Sequence, residues 1–292
     1  MEYVWKQKPK ASQSTIEKLG KEINVNPILS NMLINRGVES FDQAKDYFRP
    51  SLSQLHDPFL MQDMHQAVTR IEKAIANQEK ILVYGDYDVD GTTAVALVYS
   101  FLKGFYPLVD FYIPDRYKEG YGISERGVRY AAENDFALVI ALDCGIKAID
   151  KVNLASQLDV DFIICDHHTP GEELPKAIAV LDAKREDCNY PYKELSGCGV
   201  GFKLIQAIAK SRGMDESNLY AYLDLLVVSI AADIVPITGE NRILAYYGLD
   251  RINNTPITIF PPIPICPNIS IIPSFTISES FSDHLFRLFS CI

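Results

Sequence analysis

Apolar positions along this chain follow two regimes. Up to about residue 77 they recur at helical spacing: 15–21, 27–34 and 40–48 pattern as helices, with Ser40 as an N-cap and Arg49-Pro50 closing the third. Residues 64–76 pattern as an amphipathic helix that serves as packing scaffold. From Lys80 onward, short unbroken apolar runs alternate with helical segments. Strands are predicted at 81–84, 109–113, 137–142, 162–165 and 177–181, and helices at 92–102, 124–134, 147–157, 202–210, 220–232 and 240–251. Continuous rather than alternating apolar strands suit burial on both faces. The pattern predicts an α/β fold: an open, mostly parallel sheet with helices on both faces, behind a helical N-terminal extension. The expected division is 1–77 for the extension, 78–255 for the α/β domain and 256–292 for an atypical tail.

In such sheets ligands gather beyond the carboxyl ends of the strands. Three predicted strands end on chemistry-bearing residues. The first runs into Asp86-Tyr87-Asp88-Val89-Asp90-Gly91, the third into Asp143-Cys144-Gly145 and the fourth into Asp166-His167-His168. Carboxylates with imidazole are a ligand set for Mn²⁺, Mg²⁺ or Zn²⁺. Asp233, where the apolar pattern of 220–232 stops, is either a surface residue at a helix end or a further ligand. Ser196-Gly197-Cys198-Gly199-Val200-Gly201 opens the helix at 202–210. Such a turn can receive a phosphate on its free N–H groups, or simply let backbone pack closely.

Composition narrows this picture. The 292 residues are 48% hydrophobic, enough for a sizeable core, and the net charge is −10. That charge is unexpected for a nucleic-acid binder, unless part of it is a metal site and the basic surface lies elsewhere. No apolar run is long enough to span a membrane and Met1–Lys6 is no signal peptide, so a cytoplasmic location without membrane contact is the default expectation. Six cysteines are scattered without close pairs. Cys144 and Cys165 read as reduced core residues, and Cys188 with Cys198 as half of a zinc site that lacks its other half.

The aspartate run also resembles two other motifs. A calcium loop needs a bidentate Glu where this chain has Leu97, and fails. Asp88-Val89-Asp90-Gly91-Thr92 resembles the nucleophile motif of haloacid-dehalogenase-type phosphatases, which gives His167-His168 no role.

Taken together, the motifs resemble the DHH phosphoesterase superfamily, and within it the single-strand-specific DNA exonucleases. Gly85–Gly91, Asp143–Gly145, Asp166–His168 and Ala232–Pro236 carry the four superfamily motifs; Ile113–Arg116 with Glu119–Gly122, and Ser196–Val200, resemble segments of the exonuclease branch. The likeness runs to about Thr255. It implies two divalent ions, Mn²⁺ or Mg²⁺, held by Asp88, Asp90, Asp143, His167 and Asp233, with Asp90 or Asp143 bridging. It implies catalytic roles for Asp86, as a ligand or as the group orienting the attacking water, and for His168 on the scissile phosphate. Arg116, Ser196 and Gly197 become substrate contacts. Two ions about 3.5–4 Å apart would clamp the phosphate for in-line attack, with no side chain covalently modified. The implied activity is 5′→3′ hydrolysis of single-stranded DNA in repair and recombination, with a single-strand-binding protein or helicase as partner. Two alternatives remain: a DHH phosphoesterase acting on pyrophosphate, cyclic dinucleotides or short oligonucleotides, and an inert metal-binding fragment.

The resemblance also implies a second core domain (DHHA1) and an OB-fold, neither of which follows here; their absence would account for the acidic balance. Instead, Pro256, Pro261, Pro262, Pro264, Pro267 and Pro273 crowd a tail whose sole Lys or Arg is Arg287. The tail is expected to be poorly ordered or non-native, a frameshifted or misassembled end, which resequencing across codon 256 would test.

Overall fold

The structure, a computed structural model, describes residue 8 and residues 10–254; the expectation for the tail lies outside them. Contacts divide the chain into two compact units, Met1–Leu55 and His56–Ile292. In the first, α1 (Gln13–Ile23), α2 (Pro27–Ile34) and α3 (Phe41–Phe48) are capped by Ser12, Asn26 and Ser40, each accepting a backbone N–H. Leu19, Leu33, Val38 and Ala44 form their small core.

The second unit starts earlier than the expected 77/78 boundary. Its first helix, α4 (Met64–Ala76), buries Met64, Ala67, Val68, Ile71 and Ala74 and packs on the sheet. Five strands follow among the described residues: β1 (Lys80–Gly85), β2 (Val109–Tyr112), β3 (Phe136–Leu142), β4 (Asp161–Cys165) and β5 (Ala179–Leu181). They form one sheet in the order β2-β1-β3-β4-β5, and every pairing is parallel. Between them run α5 (Val89–Lys103), α6 (Glu125–Glu133) and α7 (Ile149–Gln157), followed by α8 (Gly197–Ser211), α9 (Leu223–Ala232) and α10 (Gly239–Asn254).

Alternation along each strand assigns the two faces. Leu82, Tyr84, Val139, Ala141, Phe162, Ile164 and Val180 pack with Val128 and Ala131 of α6 and Val152 and Ala155 of α7. The opposite face meets α4, α5 and α8. Covering both faces is why residues 81–84, 136–142, 162–165 and 179–181 are apolar throughout, each large side chain so buried contributing about 1.5–3 kcal/mol. The outer edge of β5 is closed by an ion pair instead of a strand: Asp63 accepts the Val180 N–H and Arg185, which also donates to the Val180 carbonyl.

α5 and α8 begin three and five residues earlier than their apolar patterns indicate, and in both cases a cap is the reason. Asp88 accepts the Gly91 N–H at 2.9 Å, so α5 starts at Val89 and Asp90 lies in its first turn. Ser196 accepts the Gly199 N–H at 3.1 Å, so the glycine-rich segment is itself the first turn of α8. The pattern at 220–232 resolves into a 3₁₀ segment, Glu216–Tyr222, followed by α9.

Candidate metal centre

The strand order reverses direction around β1: the chain crosses to β2 on one side, then returns to β3 on the other. That places a crevice at the carboxyl ends of β1 and β3. Four of the five strands pass directly into an aspartate there: Asp86, Asp143, Asp166 and Asp182. The strand ends are in register, Gly85 beside Leu142, Leu142 beside Cys165 and Cys165 beside Leu181, so the four aspartates stand in one row. None is more than 1% exposed.

Each member of the row has different partners. Asp86 accepts the N–H groups of Tyr87 at 2.7 Å and Gly122 at 2.9 Å. Asp166 accepts the N–H groups of Ile146, His167 and His168, and its Oδ1 lies 2.7 Å from His168 Nδ1. Asp182 accepts the Lys184 N–H on one oxygen, while its other oxygen has no hydrogen-bond partner. Asp143 has left-handed backbone (φ 58°), and its Oδ1 is buried without a hydrogen bond.

Opposite Asp143 stand three more groups. His167 Nε2 is 3.2 Å from Asp143 Oδ1, 3.6 Å from Asp233 Oδ2 and 3.7 Å from Asp90 Oδ2. Asp90 is held at the start of α8: Gly197 N–H donates to Oδ2 at 2.6 Å, and Cys198 N–H and Ser229 Oγ donate to Oδ1, each at 2.7 Å. The free N–H groups of this helix start therefore receive a carboxylate of the protein itself. Gly197 has a steric reason as well, since a Cβ there would stand 2.5 Å from the Asp143 side chain.

Burial and crowding set the protonation of the row. Asp143 is pushed up to about 10, first by burial and then by the charges of Asp90, Asp88 and Asp166. Burial also raises Asp90, against its bonds to Ser229, Cys198 and Gly197. Asp182 is raised to about 6, mainly by burial. Asp166 is lowered: burial opposes this, but the bonds from His168 and the Ile146 N–H prevail. That same bond to Asp166 raises His168. Buried carboxylates crowded in this way can be offset by a bound cation.

Among the described residues, two groups of side chains offer ligand atoms within 4.8 Å of one another: Asp90, His167 and Asp233, and Asp143, His167 and His168. Hard oxygens with imidazole suit Mn²⁺ or Mg²⁺, and the buried, unbonded Asp143 Oδ1 and His167 Nε2 face each other where an ion would satisfy both. Neither group contains a cysteine; Cys144, Cys165, Cys188 and Cys198 are buried free thiols.

Of the residues singled out in the sequence, Asp90, Asp143, His167, His168 and Asp233 converge. Asp86 and Asp88 lie outside both groups, engaged with backbone N–H groups. Ser196 is buried and bonded to Ser229 and to the Gly199 N–H, and the Gly197 N–H is taken by Asp90. Arg116 lies over the Tyr87 ring, 5.2 Å from its centre; Tyr87 is edge-on to Tyr121 at 5.9 Å, and Tyr121 to His168 at 6.4 Å. Sequence reasoning missed Asp166 as the group orienting His168, Asp182 and Ser229. The first two carry the same signal as Asp143, an aspartate directly after a buried run. Ser229, inside an apolar helix, carries none.

A parallel α/β sheet with this carboxylate and imidazole cluster at its switch point defines a class of metal-dependent phosphoesterase folds. The chain belongs to the DHH family: residues 80–230 match the DHH family, N-terminal domain. Its relatives include the single-stranded-DNA-specific exonuclease RecJ of Bacillus subtilis, 40% identical over 243 residues (83% of this chain, 30% of that protein), and that of Escherichia coli, 32% identical over 236 residues (77% and 40%). Similar solved structures include exonuclease RecJ bound to manganese (33% identity, TM-score 0.61, covering 69% of this chain and 50% of that one). RecJ of Thermus thermophilus in complex with Mn²⁺ is another (28% identity, TM-score 0.69, 83% and 34%). The chain thus spans well under half the length of the curated relatives quoted. No helix among the described residues is long and apolar enough to cross a membrane.

Proposed function

We propose that this chain is the metal-holding catalytic portion of a single-stranded-DNA-specific exonuclease, hydrolysing phosphodiesters 5′→3′ with Mn²⁺ or Mg²⁺. One observation carries the reading: Asp90, Asp143, His167 and Asp233, supplied by four separate elements, meet within a few ångströms at the carboxyl edge of the sheet. Those four residues would hold the ions. When bound, two such ions activate water and neutralise charge on the phosphate.

The remaining groups have roles of their own. Asp166 fixes the His168 ring and favours its charged form, so the half-exposed imidazolium can donate to a phosphate oxygen. Tyr121 and Tyr87 offer ring faces or edges to unstacked bases, and Arg116 supplies a cation beside them. Similarity to the exonucleases supports single-stranded DNA as substrate. It also underlies a setting in DNA repair and recombination in the cytoplasm, with a single-strand-binding protein or helicase as partner.

The test is digestion of 5′- and 3′-labelled single strands, and of a duplex, in Mn²⁺, Mg²⁺ or EDTA. Metal-dependent loss of single strands from the 5′ end, absent in His167→Ala, is the expected result. Cleavage that persists in the variant or in EDTA would refute the assignment. Hydrolysis of dinucleotides alone would move the chain to the small-substrate branch of the family.

A further inference from the structure

Asp86 stands in the aspartate row but outside both groups of ligand atoms, and both its oxygens are occupied by backbone. One bond reaches 36 residues along the chain to the Gly122 N–H at 2.9 Å. Two residues earlier on β1, on the same face of the strand, the Tyr84 hydroxyl donates to the Gly122 carbonyl at 2.9 Å and accepts the Ser124 N–H at 3.1 Å. Gly122 is therefore gripped from both sides, its N–H by Asp86 and its carbonyl by Tyr84. Its backbone is left-handed, φ 83°, a conformation that glycine adopts freely.

The gripped loop, residues 113–124, carries Arg116 and Tyr121, and the other oxygen of Asp86 fixes the peptide of Tyr87, the ring on which both of those side chains rest. We infer that Asp86, with Tyr84, is a positioning residue that pins this loop beside the metal centre and so sets where the strand's terminal base and backbone lie. The substrate in this inference rests on the nuclease reading above; the grip itself does not. A carboxylate suits the task because two N–H donors converge on it. An amide offers one acceptor oxygen and turns its NH₂ against the second donor.

The experiment compares Asp86→Asn and Tyr84→Phe in the 292-residue chain, the second variant removing the other half of the grip without touching a carboxylate. Three readouts are needed: Mn²⁺ stoichiometry by electron paramagnetic resonance, hydrogen exchange over residues 115–124, and binding of a short single strand with 2-aminopurine at its 5′ end. Both variants should keep the parent's Mn²⁺ stoichiometry, exchange faster across the loop and bind the strand about tenfold more weakly. Where cleavage is measured, the loss should fall on KM more than on kcat. Loss of a Mn²⁺ ion in Asp86→Asn would make Asp86 a ligand and overturn the inference, as would unchanged exchange in both folded variants. If the parent itself binds no single strand, the nuclease reading fails separately, and the exchange data still decide the grip.

Discussion

Asp143→Asn tests the view that the centre is a set of carboxylates strained by one another until a cation arrives. The Asp143 side chain is 2% exposed, and its carboxyl is shifted from 3.8 to about 10 by burial and by Asp90, Asp88 and Asp166. At pH 7 the folded chain therefore retains a proton there that the unfolded chain has released. Stability lost this way accumulates from the unfolded value upward, at about 1.4 kcal/mol per pH unit, giving a ceiling of roughly 4 kcal/mol at pH 7. Charge sharing within the row reduces the net cost, and about 2 kcal/mol is expected. The asparagine variant has no proton to retain. In EDTA it should melt higher than the parent by roughly 4–8 °C at pH 7–8, and the gap should shrink towards zero near pH 4, where both states of the parent are protonated. Added Mn²⁺ should reverse the order, since the parent gains about 2.7 kcal/mol at a hundredfold excess over Kd while the variant has lost a charged ligand. Thermal melts across pH 4–9, with and without the ion, provide the comparison. A variant no more stable than the parent at pH 8 in EDTA, or a gap that stays constant with pH, would refute the reasoning.

Other perturbations test other parts of the structure. Gly197→Ala drives a methyl to 2.5 Å from Asp143; the carboxylate must move, and calorimetric titration should show Mn²⁺ affinity at least about tenfold weaker, with a stability loss of about 1–3 kcal/mol in melts. Glu240→Gln leaves the fully buried Lys203 ammonium without its counter-charge at 2.7 Å and should cost about 3–5 kcal/mol in urea unfolding. Lys203→Met should cost less, because Glu240 keeps the His56 N–H and the Tyr190 hydroxyl. Asp166→Asn should let His168 fall back towards its ordinary value and shift the alkaline limb of any pH–activity profile to lower pH. The raised His168 stabilises the fold below 6.5 and the lowered Asp166 above 3.8, so the variant's stability loss should be greatest between those values and smaller at pH 9.

The order of strands and helices was legible because each buried run ends at a local signal: Ser124 caps α6, and Asp143 and Asp166 follow runs with no polar interruption. The meeting of Asp90, Asp143, His167 and Asp233 was legible for the same reason, since the ends of parallel strands in one sheet converge on one rim. What could not be read was how each polar group is satisfied. Asp90 looks like a member of the Asp86-Asp88-Asp90 series, yet its partners at Gly197, Cys198 and Ser229 lie 107, 108 and 139 residues away. Asp86 and Asp88, spaced identically in sequence, bond instead to Gly122 and to the next turn of their own segment. A period-2 run of aspartates therefore splits by geometry into three tasks. Asp86 precedes the helix and turns towards the 113–124 loop, Asp88 caps α5, and Asp90, in the first turn of that helix, meets the α8 N-terminus. The helix start, and with it this division, depends on Asp88 accepting the Gly91 N–H, so the cap that the apolar pattern concealed determines which of the three carboxylates meets His167 and Asp233.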